Sequence, residues 1–185
     1  MSLYLDPETG LLDPVRYLPS PNCDARPQGA GIDLVVIHGI SLPPGCYGGD
    51  YIDRLFTNCL EAGAHPYFSG ICQLRVSSHL FISRRGDLTQ YVPLTMRAWH
   101  AGESEFQGRR MCNDFSIGIE LEGSDDDPYQ NCQYDCVAGV IKKIMNCWPA
   151  IRRERVVGHA DIAQGRKTDP GPAFDWQHLY KLLEE

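Results

Sequence analysis

The sequence predicts a single-domain α/β (α+β) protein with a central mixed β-sheet flanked by helices. Three observations carry that reading. Short apolar strand patterns alternate with helical ones along the chain, the signature of layered sheet and helix. Within residues 79–92 two strand patterns meet across a tight turn, so an otherwise interrupted sheet contains a hairpin. The chain has 185 residues, enough for one substantial core, and shows no repeat, low-complexity tract or interdomain linker.

Each element has a physical reason. After an extended N-terminal arm, Leu34-Val35-Val36-Ile37 is an unbroken apolar run ending at His38, which reads as a strand (34–38) buried on both faces. A helix is expected at about 51–62, and the hairpin turns at Arg85-Gly86-Asp87. From Phe115 to Glu122 apolar and polar residues alternate, which predicts a half-buried strand (115–121) with two distinct faces. Asp127 and Pro128 read as the cap and first turn of a long helix (128–147), in which Val137, Val140, Ile141, Ile144, Met145 and Trp148 follow helical spacing. Cys132 and Cys136 extend that stripe backwards and are expected to be core thiols. A short strand (155–158) and a terminal helix (176–184) capped by Asp175 complete the order. The long loops at 39–50, 66–78 and 98–113 are rich in Gly, Pro and polar residues, and are expected to build a groove.

Chemistry gathers at the strand ends. Val156-Val157-Gly158 leads to His159, and ten residues later Asp169 follows Lys167 by two positions. Pro170 biases Asp169 towards extended backbone, where residues two apart share a side, so Lys167 and Asp169 should face one space. With His38, these give two imidazoles and one carboxylate, a ligand set that zinc accepts with a coordination position left open. On the residues alone, the reading of both histidines as strand-end residues bonded to backbone is favoured, since ligands so far apart in sequence are easily assembled by accident. The polar face of 115–122 is small before it reaches a carboxylate, leaving room for a ligand above a general base. Alternation does not choose between Glu120 and Glu122.

The ordered stretches Val36-Ile37-His38, Ala98-Trp99-His100-Ala101-Gly102, Asn113-Asp114-Phe115-Ser116-Ile117-Gly118-Ile119-Glu120, Gly158-His159 and Lys167-Thr168-Asp169-Pro170-Gly171-Pro172 resemble the N-acetylmuramoyl-L-alanine amidases. That family shares its fold with T7 lysozyme and the peptidoglycan recognition proteins. Pro19-Ser20-Pro21-Asn22, Ser41-Leu42-Pro43-Pro44-Gly45, Leu74-Arg75-Val76-Ser77 and Ala173-Phe174-Asp175-Trp176 narrow the likeness to the AmpD-type branch, which acts on 1,6-anhydro-muropeptides in cytoplasmic cell-wall recycling. The resemblance covers about 19–183, leaving 1–18 as the arm. It implies one zinc ion on His38, His159 and Asp169, Glu120 rather than Glu122 as the base, and Lys167 as the oxyanion-stabilising residue. It further implies a substrate groove lined by the Trp99-His100 segment; because the chain is acidic, an anionic substrate needs a local basic patch there, to which Arg75 and Arg110 are expected to contribute. Gly39, where relatives have Asn, and Met111, where enterobacterial members have a basic residue, depart from the pattern at positions expected near the substrate.

Composition is that of an ordinary globular chain, with 43% hydrophobic and 22% charged residues. A formal charge of -7 argues against nucleic acid as a partner. No apolar run suggests a membrane span, and no basic-then-apolar leader opens the sequence, so a bacterial cytoplasmic location with eight reduced cysteines and no obligate protein partner is expected. The alternatives are a related amidase acting on intact peptidoglycan and a non-catalytic muropeptide-binding module. A third alternative, an unrelated metallohydrolase such as a peptidase, is disfavoured because no His-Glu-x-x-His motif occurs.

Overall fold

Leu34, Val35, Val36 and Ile37 are all fully buried, and a strand with no polar face must be covered from both sides. In the computed structural model, which describes residues 3–184, this strand is β2 (Leu34–Ile40) near the middle of a six-stranded sheet. The others are β1 (Arg16–Tyr17), β3 (Leu80–Ile82), β4 (Leu88–Gln90), β5 (Ser116–Glu122) and β6 (Val156–Gly158). Their order across the sheet is β6-β2-β5-β3-β4-β1. β6, β2, β5 and β3 run parallel, β3 and β4 form the antiparallel hairpin, and β1 pairs parallel to β4 at the edge. The expected mixed sheet is therefore present.

One face packs on helices α2 (Asn131–Cys147) and α4 (Trp176–Glu184). Val35 and Ile37 of β2 and Ile117, Ile119 and Leu121 of β5 join Val137, Val140, Ile141 and Ile144 of α2 and Leu179 of α4 in one core. Burying each such side chain is worth about 1.5–3 kcal/mol, so a one-residue slip of either strand is strongly opposed. On the opposite face Leu34 and Val36 pack with Ala101, Cys112, Phe115 and Ile162, the last from the short helix α3 (His159–Ile162). A third cluster gathers Ile52, Leu55 and Phe56 of α1 (Tyr51–Phe56) with Phe68, Tyr91 and Ala98.

Four expectations need correction. The helix expected at about 51–62 ends at Phe56, and the chain continues through two 3₁₀ turns. The long helix begins at Asn131, capped by Gln130 and Gln133, because Tyr129 is drawn into the core and Asp127 binds the Tyr47 hydroxyl. Cys132 then falls on the exposed side of the first turn and is not a core thiol; Cys136 is half-buried. Finally, β5 is not half-buried with an open face, since Ser116, Gly118 and Glu122 are buried as well. Asp175 does cap α4, accepting a hydrogen bond from the His178 N–H at 2.9 Å.

Candidate metal centre and active site

Parallel pairing puts the carboxyl ends of β6, β2 and β5 side by side, the place where α/β sheets collect ligands. Glu120 is the register partner of His38, and Gly158 pairs with Ile37, so His159 emerges beside His38. Glycine suits this position, because a Cβ at Gly158 would lie 3.0 Å from Pro170 Cδ, tight against the turn that carries Asp169. Two further bonds hold that turn: the Ala160 N–H donates to the Asp169 carbonyl at 2.9 Å, and the Tyr129 hydroxyl donates to the Pro170 carbonyl at 3.0 Å.

Three donor atoms converge. His38 Nδ1 and His159 Nδ1 are 2.9 Å apart, and Asp169 Oδ2 lies 3.3 Å from the first and 3.1 Å from the second. Ligand atoms about 2.0–2.1 Å from a tetrahedral ion stand roughly 3.3 Å apart. The spacing, and a donor set of two imidazole nitrogens and one carboxylate oxygen, fit a divalent cation. Burial pushes His38 down to about 4, so its ring is neutral at pH 7, the form a metal accepts.

Beside this cluster stands Glu120, with Oε1 4.0 Å from His38 Nδ1 and a buried Oε2 that has no hydrogen-bond partner. Burial, reinforced by the negative charge of Asp169 and opposed by Lys167, holds the Glu120 carboxyl well above the usual carboxylate range. Glu122 is spent differently: its two oxygens accept the backbone N–H groups of Gly48 and Arg84. The structure thus separates two carboxylates that alternation left equivalent.

A cleft of about 630 Å³ opens over the cluster. It is lined by His38, His159, Asp169, Glu120 and Lys167 together with apolar walls that include Leu42, Phe56 and Val76. Trp99 and His100 line it too, with the Trp99 indole N–H held by Asp24 at 3.3 Å. Arg75 is exposed and is not part of the lining. Arg110 lies on a neighbouring cleft with Met111 and is paired at 3.4 Å with Glu105. Gly39 lines the main cleft, and a Cβ there would lie 2.4 Å from the Tyr129 hydroxyl, so any side chain at 39 must displace it.

A recess that presents two imidazoles and a carboxylate to one point, with a second unpartnered carboxylate beside them, suits metal-assisted hydrolysis. The sequence profile of the N-acetylmuramoyl-L-alanine amidases matches residues 28–172. The chain belongs to the N-acetylmuramoyl-L-alanine amidase family. It is an amidohydrolase. The 1,6-anhydro-N-acetylmuramyl-L-alanine amidase AmpD of Escherichia coli K12 is 51% identical over 178 residues, which cover 96% of this amidase and 97% of that protein. A crystal structure of AmpD superposes with a TM-score of 0.93 at 51% identity, covering 97% of this chain and 98% of that one. AmiD of E. coli, solved with anhydro-N-acetylmuramic acid-L-Ala-D-gamma-Glu-L-Lys, matches with a TM-score of 0.62 at 28% identity, covering 98% of this chain and 65% of that chain. The expected amidase fold is the fold observed.

Sequence reasoning missed three residues of this amidase that support the site. Arg26 is half-buried among the carbonyls of Leu94, Asn113, Asp114 and Ser116, to all of which it donates. His79, just before the hairpin strand, is fully buried, receives the Gly118 N–H at 3.0 Å, and packs against the His100 ring. Arg166 lines the cleft rim and donates to the carbonyls of Ala101 and Glu103. No local pattern marks any of them, because their partners lie far away in sequence. No helix among the described residues is long and apolar enough to cross a membrane.

Proposed function

We propose that this amidase hydrolyses the amide between the lactyl group of 1,6-anhydro-N-acetylmuramic acid and the L-alanine of its stem peptide, as a zinc enzyme of cytoplasmic cell-wall recycling. The observation that carries the reading is the meeting of His38 Nδ1, His159 Nδ1 and Asp169 Oδ2 beside the unpartnered oxygen of Glu120. The substrate class is supported by AmpD of E. coli, whose name states that activity and which is 51% identical to this chain over nearly its whole length. Zinc is the ion proposed because the task needs a redox-inert Lewis acid and the donor set is one that zinc accepts.

Bound zinc supplies polarisation of the scissile carbonyl and a lowered pKa for water. The chain's own residues do the rest. Glu120 takes a proton from the attacking water as its oxygen bonds to the carbonyl carbon. The same carboxyl then returns that proton to the alanine nitrogen as the carbon–nitrogen bond breaks. Lys167 sets a positive charge against the oxyanion of the tetrahedral intermediate. The apolar walls at Leu42, Phe56 and Val76 exclude bulk water and strengthen these electrostatic effects.

Mass spectrometry of the products from a defined 1,6-anhydro-muropeptide, with and without a chelator, tests the reading. Release of free stem peptide that stops on chelation is expected. Tight binding without release, or release indifferent to the chelator, contradicts it.

A further inference from the structure

The Ala98–Gly102 and Asn113–Ser116 stretches take no part in the chemistry above, yet they pack directly beneath the two ligand histidines. Their hydrogen bonds have a fixed direction. The Ser116 hydroxyl lies 2.6 Å from the Cys112 carbonyl, which can only accept, so its single proton goes there. Its oxygen then accepts from His100 Nε2 at 3.1 Å. With the proton on Nε2, His100 presents a lone pair on Nδ1, and that atom is 2.9 Å from His38 Nε2. His38 must donate through Nε2, which leaves the lone pair of its Nδ1 facing His159 and Asp169. His159 reaches the same state by a shorter route, since its Nε2 donates to the Ala101 carbonyl at 3.2 Å.

The supporting geometry is built in. Asn113 Oδ1 accepts the backbone N–H groups of both His100 and Ala101, at 3.1 and 2.8 Å, and so clamps the two residues that address the ligands. Gly118 gives the His100 ring its seat on β5, because a Cβ there would lie 2.5 Å from the ring. The small residues of this strand therefore make room for an imidazole and not for substrate. Both ring nitrogens of His100 are engaged, so the ring has none to offer a bound molecule.

We propose that His100 and Ala101, clamped by Asn113 and oriented from Ser116, form an outer shell that presents both ligand histidines to the metal in one tautomer, with the lone pair on Nδ1. The proposal rests on the zinc reading above. His100 is a positioning residue, acting through His38.

Long-range proton–nitrogen spectra of the histidine side chains in the zinc-loaded protein, paired with zinc affinity by chelator competition, form the test. His38, His100 and His159 are expected to carry their protons on Nε2. Ser116→Ala, which removes the anchor without adding bulk, and His100→Phe, which removes the acceptor, should each weaken zinc binding by about 10-fold or more. A proton on Nδ1 of His100 or His38 in the wild type overturns the proposal. So does zinc affinity within about twofold of wild type in both variants, against the loss expected of an outer-shell partner. A wild type that binds no zinc sinks the metal reading and this proposal with it. One that binds zinc normally while either of the other two results appears sinks this proposal alone.

Discussion

Glu120 stands directly across from His38 in the parallel pairing of β5 and β2, and its Oε1 comes within 4.0 Å of His38 Nδ1. Register, and not proximity in sequence, brings a base to a ligand cluster. A slip of one residue between the strands would leave the two side chains on opposite faces of the sheet.

The first prediction concerns Glu120. Glu120→Gln keeps the shape and removes the base, so bound zinc should stay while turnover falls about 10²–10⁴-fold. Because the carboxyl is held well above its ordinary range, kcat/KM of the wild type should fall on the acid side from a pH higher than an ordinary glutamate would give. The sign follows from the ionised form being active: activity is lost as pH falls through the raised pKa. A pH–rate profile with full activity down to the ordinary carboxylate range contradicts the assignment.

Lys167 lines the cleft at its rim, outside the ligand cluster. Lys167→Met should therefore retain metal and lose about 10²–10³ in kcat, the loss seen when one oxyanion-stabilising group is removed. Single-turnover kinetics on the zinc-loaded variant checks this; near-normal turnover removes Lys167 from the mechanism.

Glu122 should behave unlike Glu120. Its buried carboxylate accepts two backbone N–H groups from separate loops, so Glu122→Ala removes the acceptor that ties them together. A loss of about 1.5–3 kcal/mol in stability, with zinc retained, is expected in denaturant unfolding. A variant as stable as wild type but inactive would instead make Glu122 the base.

These carboxylates show what was legible in the sequence and what was not. His38, His159 and Asp169 could be picked out because each ends a strand pattern or precedes a proline, features that are local. Alternation could not separate Glu120 from Glu122, and only the resemblance did; the physical difference lies in the N–H groups of Gly48 and Arg84, which are 74 and 38 residues away from Glu122. The place of His100 was equally hidden, since the small residues Ser116 and Gly118 look the same whether they seat substrate or an imidazole. The late start of α2 arose from Tyr129, whose ring fills the space left by Gly39 and Gly123. Helical periodicity carries no trace of such a distant vacancy.

His79 provides a prediction about stability. Burial, reinforced by the Arg26 charge, pushes its pKa down to about 3, against an ordinary value of 6.5. A depressed folded-state value means that the unfolded chain binds the proton first. The stabilising contribution is thus complete above pH 6.5 and is lost progressively as pH falls from there towards 3. Over the middle of that window one proton steepens the fall by roughly 1.4 kcal/mol per pH unit. In denaturant titrations of the metal-free protein, His79→Gln should show a shallower fall than wild type; equal slopes contradict the buried neutral state.

The central claim is that two imidazoles and one carboxylate, and none of the eight cysteines, hold one zinc ion. Zinc K-edge X-ray absorption on protein purified without added metal addresses it most directly. The predicted result is one zinc per chain with nitrogen and oxygen neighbours at about 2.0–2.1 Å. Absence of zinc, or a sulfur shell at about 2.3 Å, contradicts it.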